Sequence, residues 1–141
     1  MTLFNHNSIM FMVICSFFAG FASTMNMWVD NWDDTRFSLN DFYMTGLMTG
    51  WMFFFMGLFT SHLLKCLGGL IVAIGFFLAI RGQWFIDENQ YLRGMIPHHS
   101  MAIMMSKRLR ERPNHIRLFL DRIIKGQADE IKEMKMILNS S

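Results

Sequence analysis

Two adjacent histidines, His98-His99, lie in a stretch that also carries Met95, Met101 and Met105, and a later stretch adds Gln127, Glu130 and Met134. Imidazole nitrogens, thioether sulfurs and one central carboxylate make a mixed soft and borderline donor set. Thioethers favour Cu(I), and imidazole accepts either copper oxidation state, so a copper ion, Cu(I) or Cu(II), is the expected ligand. Zinc is the second choice, because it would not need the methionines. No nucleophile–base–orienter set, phosphate loop or open three-ligand zinc motif accompanies these residues, so no enzymatic activity is expected. No nucleic-acid partner is expected either.

These donors have to be positioned by helices. From Asp87 onward the sequence is amphipathic, and Pro113 divides it into a helix over 87–111 and another over 114–138. At 100° per residue, Asp87, Tyr91, Gly94, His98, Met101, Ala102, Met105 and Leu109 share one stripe, with Met95 and His99 on its shoulder. Asn89, Arg93, Ser100, Lys107 and Glu111 fall on the opposite side and read as solvent-facing. On the second helix the inner stripe is Ile116, Phe119, Leu120, Ile123, Gln127, Glu130, Met134, Ile137 and Leu138, while Glu133 falls among the outer charges. Folding about residues 112–113 sets His98 opposite Gln127, Met95 opposite Glu130 and Tyr91 opposite Met134. Buried His, Gln and Glu are costly without partners, so they should meet one another or a ligand. The plainer alternative is a hydrogen-bonded core with packing methionines, a polar centre that only fixes helix register. A di-iron site is not expected, because that chemistry wants several carboxylates and Glu-x-x-His pairs.

The rest of the chain is apolar. Residues 1–80 carry only Arg36 and Lys65 as cations, against Asp30, Asp33, Asp34 and Asp41. Three uncharged runs follow one another: Ser8 to Val29, Phe42 to Leu64, and Cys66 to Ile80, the last extended to the interface by Arg81, Trp84 and Phe85. Each reads as a transmembrane helix, the first as a retained span rather than a cleaved signal peptide. Glycines 46, 50, 57, 68, 69 and 75 would let these helices approach closely. Cys15 and Cys66 lie in apolar stretches and read as ordinary buried thiols. Met44, Met48, Met52 and Met56 recur every four residues on the second span, a candidate relay for Cu(I), although Met in place of Leu is the simpler reading. The expected division is a three-span region, 1–86, and a metal-binding helical hairpin, 87–141.

The run Tyr91-Leu92-Arg93-Gly94-Met95-Ile96-Pro97-His98-His99-Ser100-Met101-Ala102-Ile103, followed by Ile123-Ile124-x-x-Gln127-x-x-Glu130-Ile131-x-x-Met134, closely resembles a bacterial family, domain of unknown function 305 (DUF305). The resemblance covers roughly residues 85–138, and the upstream part is similar to a membrane-anchored branch with three N-terminal spans. It implies a ferritin-like helical bundle associated with copper binding and copper resistance in the cell envelope. It also implies a metal role for Met95, His98, His99, Met101, Gln127, Glu130 and Met134. Met104-Met105 departs from the usual pattern, which leaves the number of sulfur ligands open.

The resulting expectation is an all-α protein of three transmembrane helices and an antiparallel hairpin, half of a four-helix bundle completed by a homo-oligomer, most simply a dimer. Its partners are the lipid bilayer and other copper-handling envelope proteins. The resemblance places it in a bacterial inner membrane with the hairpin on the periplasmic side, although Arg81 and Arg93 beside the third span run against the positive-inside rule. Copper buffering, storage or transfer is the first function. Metal transport through the Met-rich spans and a purely structural subunit are the alternatives.

Overall fold

The computed structural model describes residues 6–140. Among these the chain is all-α: α1 (His6–Phe21), α2 (Leu39–Phe59), α3 (Leu63–Gly82), α4 (Glu88–Arg110) and α5 (Arg117–Ser140). Two 3-10 turns, Met25–Trp28 and Trp32–Asp34, lie between α1 and α2. The chain forms two compact units, one containing α1, α2 and α3 and the other combining residues 25–39 with α4 and α5.

In the first unit, α2 and α3 are long and apolar enough to cross a membrane, whereas α1 is not. The described residues therefore contain two such helices rather than the three expected. α1 is helical for 16 residues, and at ~1.5 Å per residue it falls short of a hydrocarbon layer of ~30 Å. The apolar run from Ser8 to Val29 is not one helix, because its end is drawn into the loop. Asn26 is buried, and its Oδ1 accepts the Arg36 backbone N–H at 2.8 Å. α3 starts earlier than expected, at Leu63, after a break at Thr60-Ser61-His62.

Close approach of α2 and α3 needs glycine at particular positions. A Cβ at Gly50 would stand 2.6 Å from the Ala73 backbone nitrogen, and one at Gly69 would stand 2.3 Å from that of Phe54. Gly68 and Gly75, expected to serve the same purpose, face open space. Burial in this unit is inverted relative to a water-soluble fold. Asp41, Thr45 and Thr49 are buried, while Phe55, Leu58, Ile71 and Phe77 are exposed. Cys15 is exposed, contrary to expectation, and Cys66 is half-buried.

In the second unit, α4 opens on an Asp87 cap whose carboxylate accepts the Gln90 N–H at 2.7 Å, satisfying one of the free donors at a helix start. α4 continues through Pro97. The turn is longer than expected, since α5 starts at Arg117. Asn114 holds it by donating to the carbonyls of Leu109 and Arg112 and accepting from the Ile116 N–H. The core is small: Ile96, Ile103, Ile131 and Met134, with Leu92, Met95, Ile124, Ala128 and Leu138 packed against it.

This core corrects the expected face of α4. Ile96, His99, Ser100, Ile103 and Ser106 are buried, whereas Tyr91, His98, Met105 and Leu109 are exposed. The reason lies in the 25–39 segment. Its 3-10 turns pack on α4, and they cover the side bearing Ser100, which the sequence pattern alone assigns to solvent. An amphipathic stripe shows which face is apolar, but it does not reveal polar residues buried under a polar partner.

Candidate metal centre

The spacing of four residues puts Met95 and His99 on one face of α4 and Glu130 and Met134 on one face of α5. Antiparallel packing brings the two faces together around a cleft of about 280 Å³. Its donors are Met95, His99, Glu130, Glu133, Met134 and Tyr91, and Leu92 and Ile137 supply apolar wall. His99 pairs with Glu130 rather than Met95 doing so, a shift of one helical turn from the expected level. The longer turn between α4 and α5 accounts for this shift.

His99 is held in a definite orientation. Its Nδ1 lies 2.8 Å from the Met95 carbonyl oxygen. A carbonyl has no proton to give, so Nδ1 donates and Nε2 is the nitrogen turned outward. Nε2 stands 2.8 Å from Glu130 Oε2, with the His99 side chain 11% exposed and that of Glu130 56% exposed. A bond between a ring nitrogen and a carboxylate oxygen at this distance needs one proton between them. A cation can take that proton's place. A backbone carbonyl on the far ring nitrogen is also the usual way of orienting a metal-binding histidine.

The remaining expected ligands lie elsewhere. His98 is exposed, its ring centroid 5.9 Å from that of His99. Met101 is half-buried and Met105 exposed, and neither lines the cleft. Gln127 is half-buried and also outside it, and its Oε1 is buried without a hydrogen-bond partner among the described residues. Of the proposed relay, Met44, Met48 and Met52 are exposed on α2 and Met56 is half-buried. Glu133 was missed, although it stands one turn from both Glu130 and Ile137, and that spacing was the available signal.

Among the described residues, no three His, Cys, Asp or Glu side chains are grouped so as to hold a metal by themselves. Cu(I) needs fewer ligands and accepts thioether sulfur, so His99 with Met95 and Met134 is a suitable set.

Similarity to known proteins agrees with the motifs. The family model for the domain of unknown function DUF305 matches residues 79–138. An uncharacterized protein of Acanthamoeba polyphaga mimivirus is 47% identical over 142 residues, covering 96% of this chain and 93% of its own. The chain belongs to the DUF305 family. No solved structure matches it. The DUF305 match takes in the end of α3, all of α4 and nearly all of α5, so every donor of the cleft lies inside it.

Proposed function

We propose that the cleft between α4 and α5 binds a copper ion, as Cu(I), in a membrane-anchored protein that buffers, stores or hands over the metal. The observation carrying this reading is the setting of His99. Its Nδ1 is committed to the Met95 carbonyl, and its Nε2 faces a carboxylate in a cleft that two thioethers also line. Copper would bind Nε2 on the side that faces Glu130. Glu130, more exposed than His99, would be the group that gives way.

Membrane anchoring rests on α2 and α3 with their apolar exteriors. Residues 25–39 and 86–140 pack as one unit, and two crossings by α2 and α3 would return the chain to the side it left. The relative is viral, so the anchoring proposed is to a membrane and not to a bacterial inner membrane in particular. The hairpin leaves an exposed set of apolar side chains, Met105, Leu109, Ile116, Leu118 and Phe119. We attribute it to a homo-oligomeric contact, most simply a two-fold dimer of hairpins.

The test is a Cu(I) titration of the detergent-purified protein against a competing chelator. Stoichiometric binding is expected, with zinc weaker. His99→Ala should weaken copper by at least ~10–100-fold, the loss typical even of an outer-shell partner, with helicity retained. His98→Ala should change affinity little. Unaltered copper binding by folded His99→Ala would rule out the assignment, and an absence of binding in the native protein would leave the structural reading.

A further inference from the structure

The side of α4 away from the cleft carries a second polar cluster. Asp34, at the end of a 3-10 turn capped by Asn31, is buried. Its Oδ2 accepts the Ser100 hydroxyl at 2.6 Å and its Oδ1 accepts Lys135 Nζ at 2.5 Å. One carboxylate therefore grips both helices of the hairpin. Ser100 is completely buried, and its Oγ also accepts the Asp30 backbone N–H at 2.9 Å. The hydroxyl thus has a donor and an acceptor partner in fixed directions. A buried carboxylate bridged in this way is costly to break from either side, because the partner left behind stays desolvated and unpaired.

The anchors occupy informative positions. Ser100 follows His99 directly, and Lys135 follows Met134. Successive residues on a helix point about 100° apart. Turning α4 enough to move His99 out of the cleft therefore pulls Ser100 away from Asp34, and turning α5 likewise moves Met134 and Lys135 together. Apolar packing of Ile96, Ile103 and Ile131 is non-directional and tolerates such rotations better than a two-handed hydrogen bond does. We propose that Asp34 is a positioning residue for the cleft: by holding Ser100 and Lys135 it fixes the rotational setting of α4 and α5, and so the facing of His99 and Met134. Its functional consequence rests on the copper reading above, while its structural content does not. By linkage, an ion that tightens the cleft also tightens the grip of the 25–39 segment on the hairpin.

The test uses the full chain in detergent, with two readouts. The first is Cu(I) affinity by chelator competition, which Asp34→Asn should weaken about tenfold, as the loss of a supporting partner commonly does, without loss of helicity. The second needs no metal. In a background carrying Cys15→Ala and Cys66→Ala, the pair Met95→Cys and Met134→Cys reports the facing of the two helices by its rate of diamide-driven disulfide formation. Adding Asp34→Asn should slow that reaction several-fold, whereas Lys107→Gln, which cuts a different tie between the same loop and α4, should not. If Asp34→Asn does not fold, Ser100→Ala removes one hydroxyl and reads the same claim at smaller amplitude. Slowed crosslinking in a protein that binds no copper leaves the positioning role standing and removes the copper reading. Unchanged crosslinking in a folded Asp34→Asn or Ser100→Ala variant overturns the positioning role, whatever happens to affinity.

Discussion

In α3, Ile71 leaves 70% of its surface uncovered while Ala73, two residues on, is buried. In α4 the arrangement is reversed: Ile96 is 0% exposed and the residues turned outward include Arg93 and His98. The same contrast holds throughout the two units. α2 and α3 bury threonines and glycines and present phenylalanine, leucine and isoleucine outward. The hairpin buries isoleucine and presents lysine, arginine and glutamate. A helix that shows its apolar side chains outward is stable only in an apolar surrounding, whereas an amphipathic helix is stable at a water boundary. The two halves of this chain thus present opposite surfaces, and every donor of the candidate cleft lies in the half whose surface is polar. Polar side chains are buried in both: Ser100 in α4 is tied to Asp34 of the 25–39 segment, and in α2 the Thr49 hydroxyl donates to the Thr45 carbonyl at 2.9 Å.

The largest effect that would break this contrast is in the hairpin core. Ile96→Ala removes side-chain atoms from a site with no solvent contact and should destabilise the second unit by about 2–5 kcal/mol, read as early loss of helicity in thermal melts. If the hairpin were held mainly by its polar ties, the effect would be far smaller. Next comes a polar substitution at two apolar residues of similar exposure. Ile71→Asp should lower membrane insertion of α3 by about 2.5–3.5 kcal/mol, the cost of aspartate near a span centre. Leu118→Asp, at a residue 82% exposed on α5, should stay within about 0.5 kcal/mol for the monomeric fold. Equal responses at the two positions, measured by insertion assay and melting, would show that both regions meet the same solvent.

Much of this was legible before the structure. Helical class and the change from an apolar to an amphipathic chain near residue 86 follow from periodicity, which also placed Glu130 and Met134 on the inner stripe of α5 but left Met95 and His99 on the shoulder of the α4 stripe. What periodicity could not show was the 25–39 segment as part of the hairpin unit. Asp30, Asp33 and Asp34 look alike in sequence, and nothing local marks Asp34 as the buried one. Without that segment, Ser100 looks solvent-facing and the inner stripe of α4 is drawn through His98 instead of His99. The first span failed for a related reason: an uncharged run is not a helix if an asparagine within it is needed by a loop. The register slipped by a turn because the residues around Pro113 form a longer connection than the shortest one the chain permits.

A third, smaller effect sharpens the account of the first unit. Gly50→Val places carbon where the Ala73 backbone nitrogen already stands at 2.6 Å, so α2 and α3 must separate. Such overpacking typically costs about 1–3 kcal/mol, and a lowered unfolding midpoint in detergent would report it. Gly75→Val, on the same pair of helices but facing open space, should be nearly silent.

The smallest effect concerns the second tie between the 25–39 segment and α4. Lys107 Nζ meets Asp30 Oδ2 at 2.6 Å, shorter than many surface pairs, yet the lysine side chain is 50% exposed and the aspartate 24%. Water and salt screen such a pair, and ordering a long lysine side chain offsets part of the attraction, so its contribution is about 0–1 kcal/mol. The backbone of Asp30 is in any case held independently, through its N–H to Ser100 Oγ. Lys107→Gln should therefore lower the melting midpoint of the second unit slightly, and less still at high salt, because the interaction removed is already screened there. Asp34→Asn, at a carboxylate held in a buried setting by two helices, should show a larger loss that added salt does little to erase. A Lys107→Gln loss matching that of Asp34→Asn would mean that the segment is held by its exposed charges rather than by the buried carboxylate.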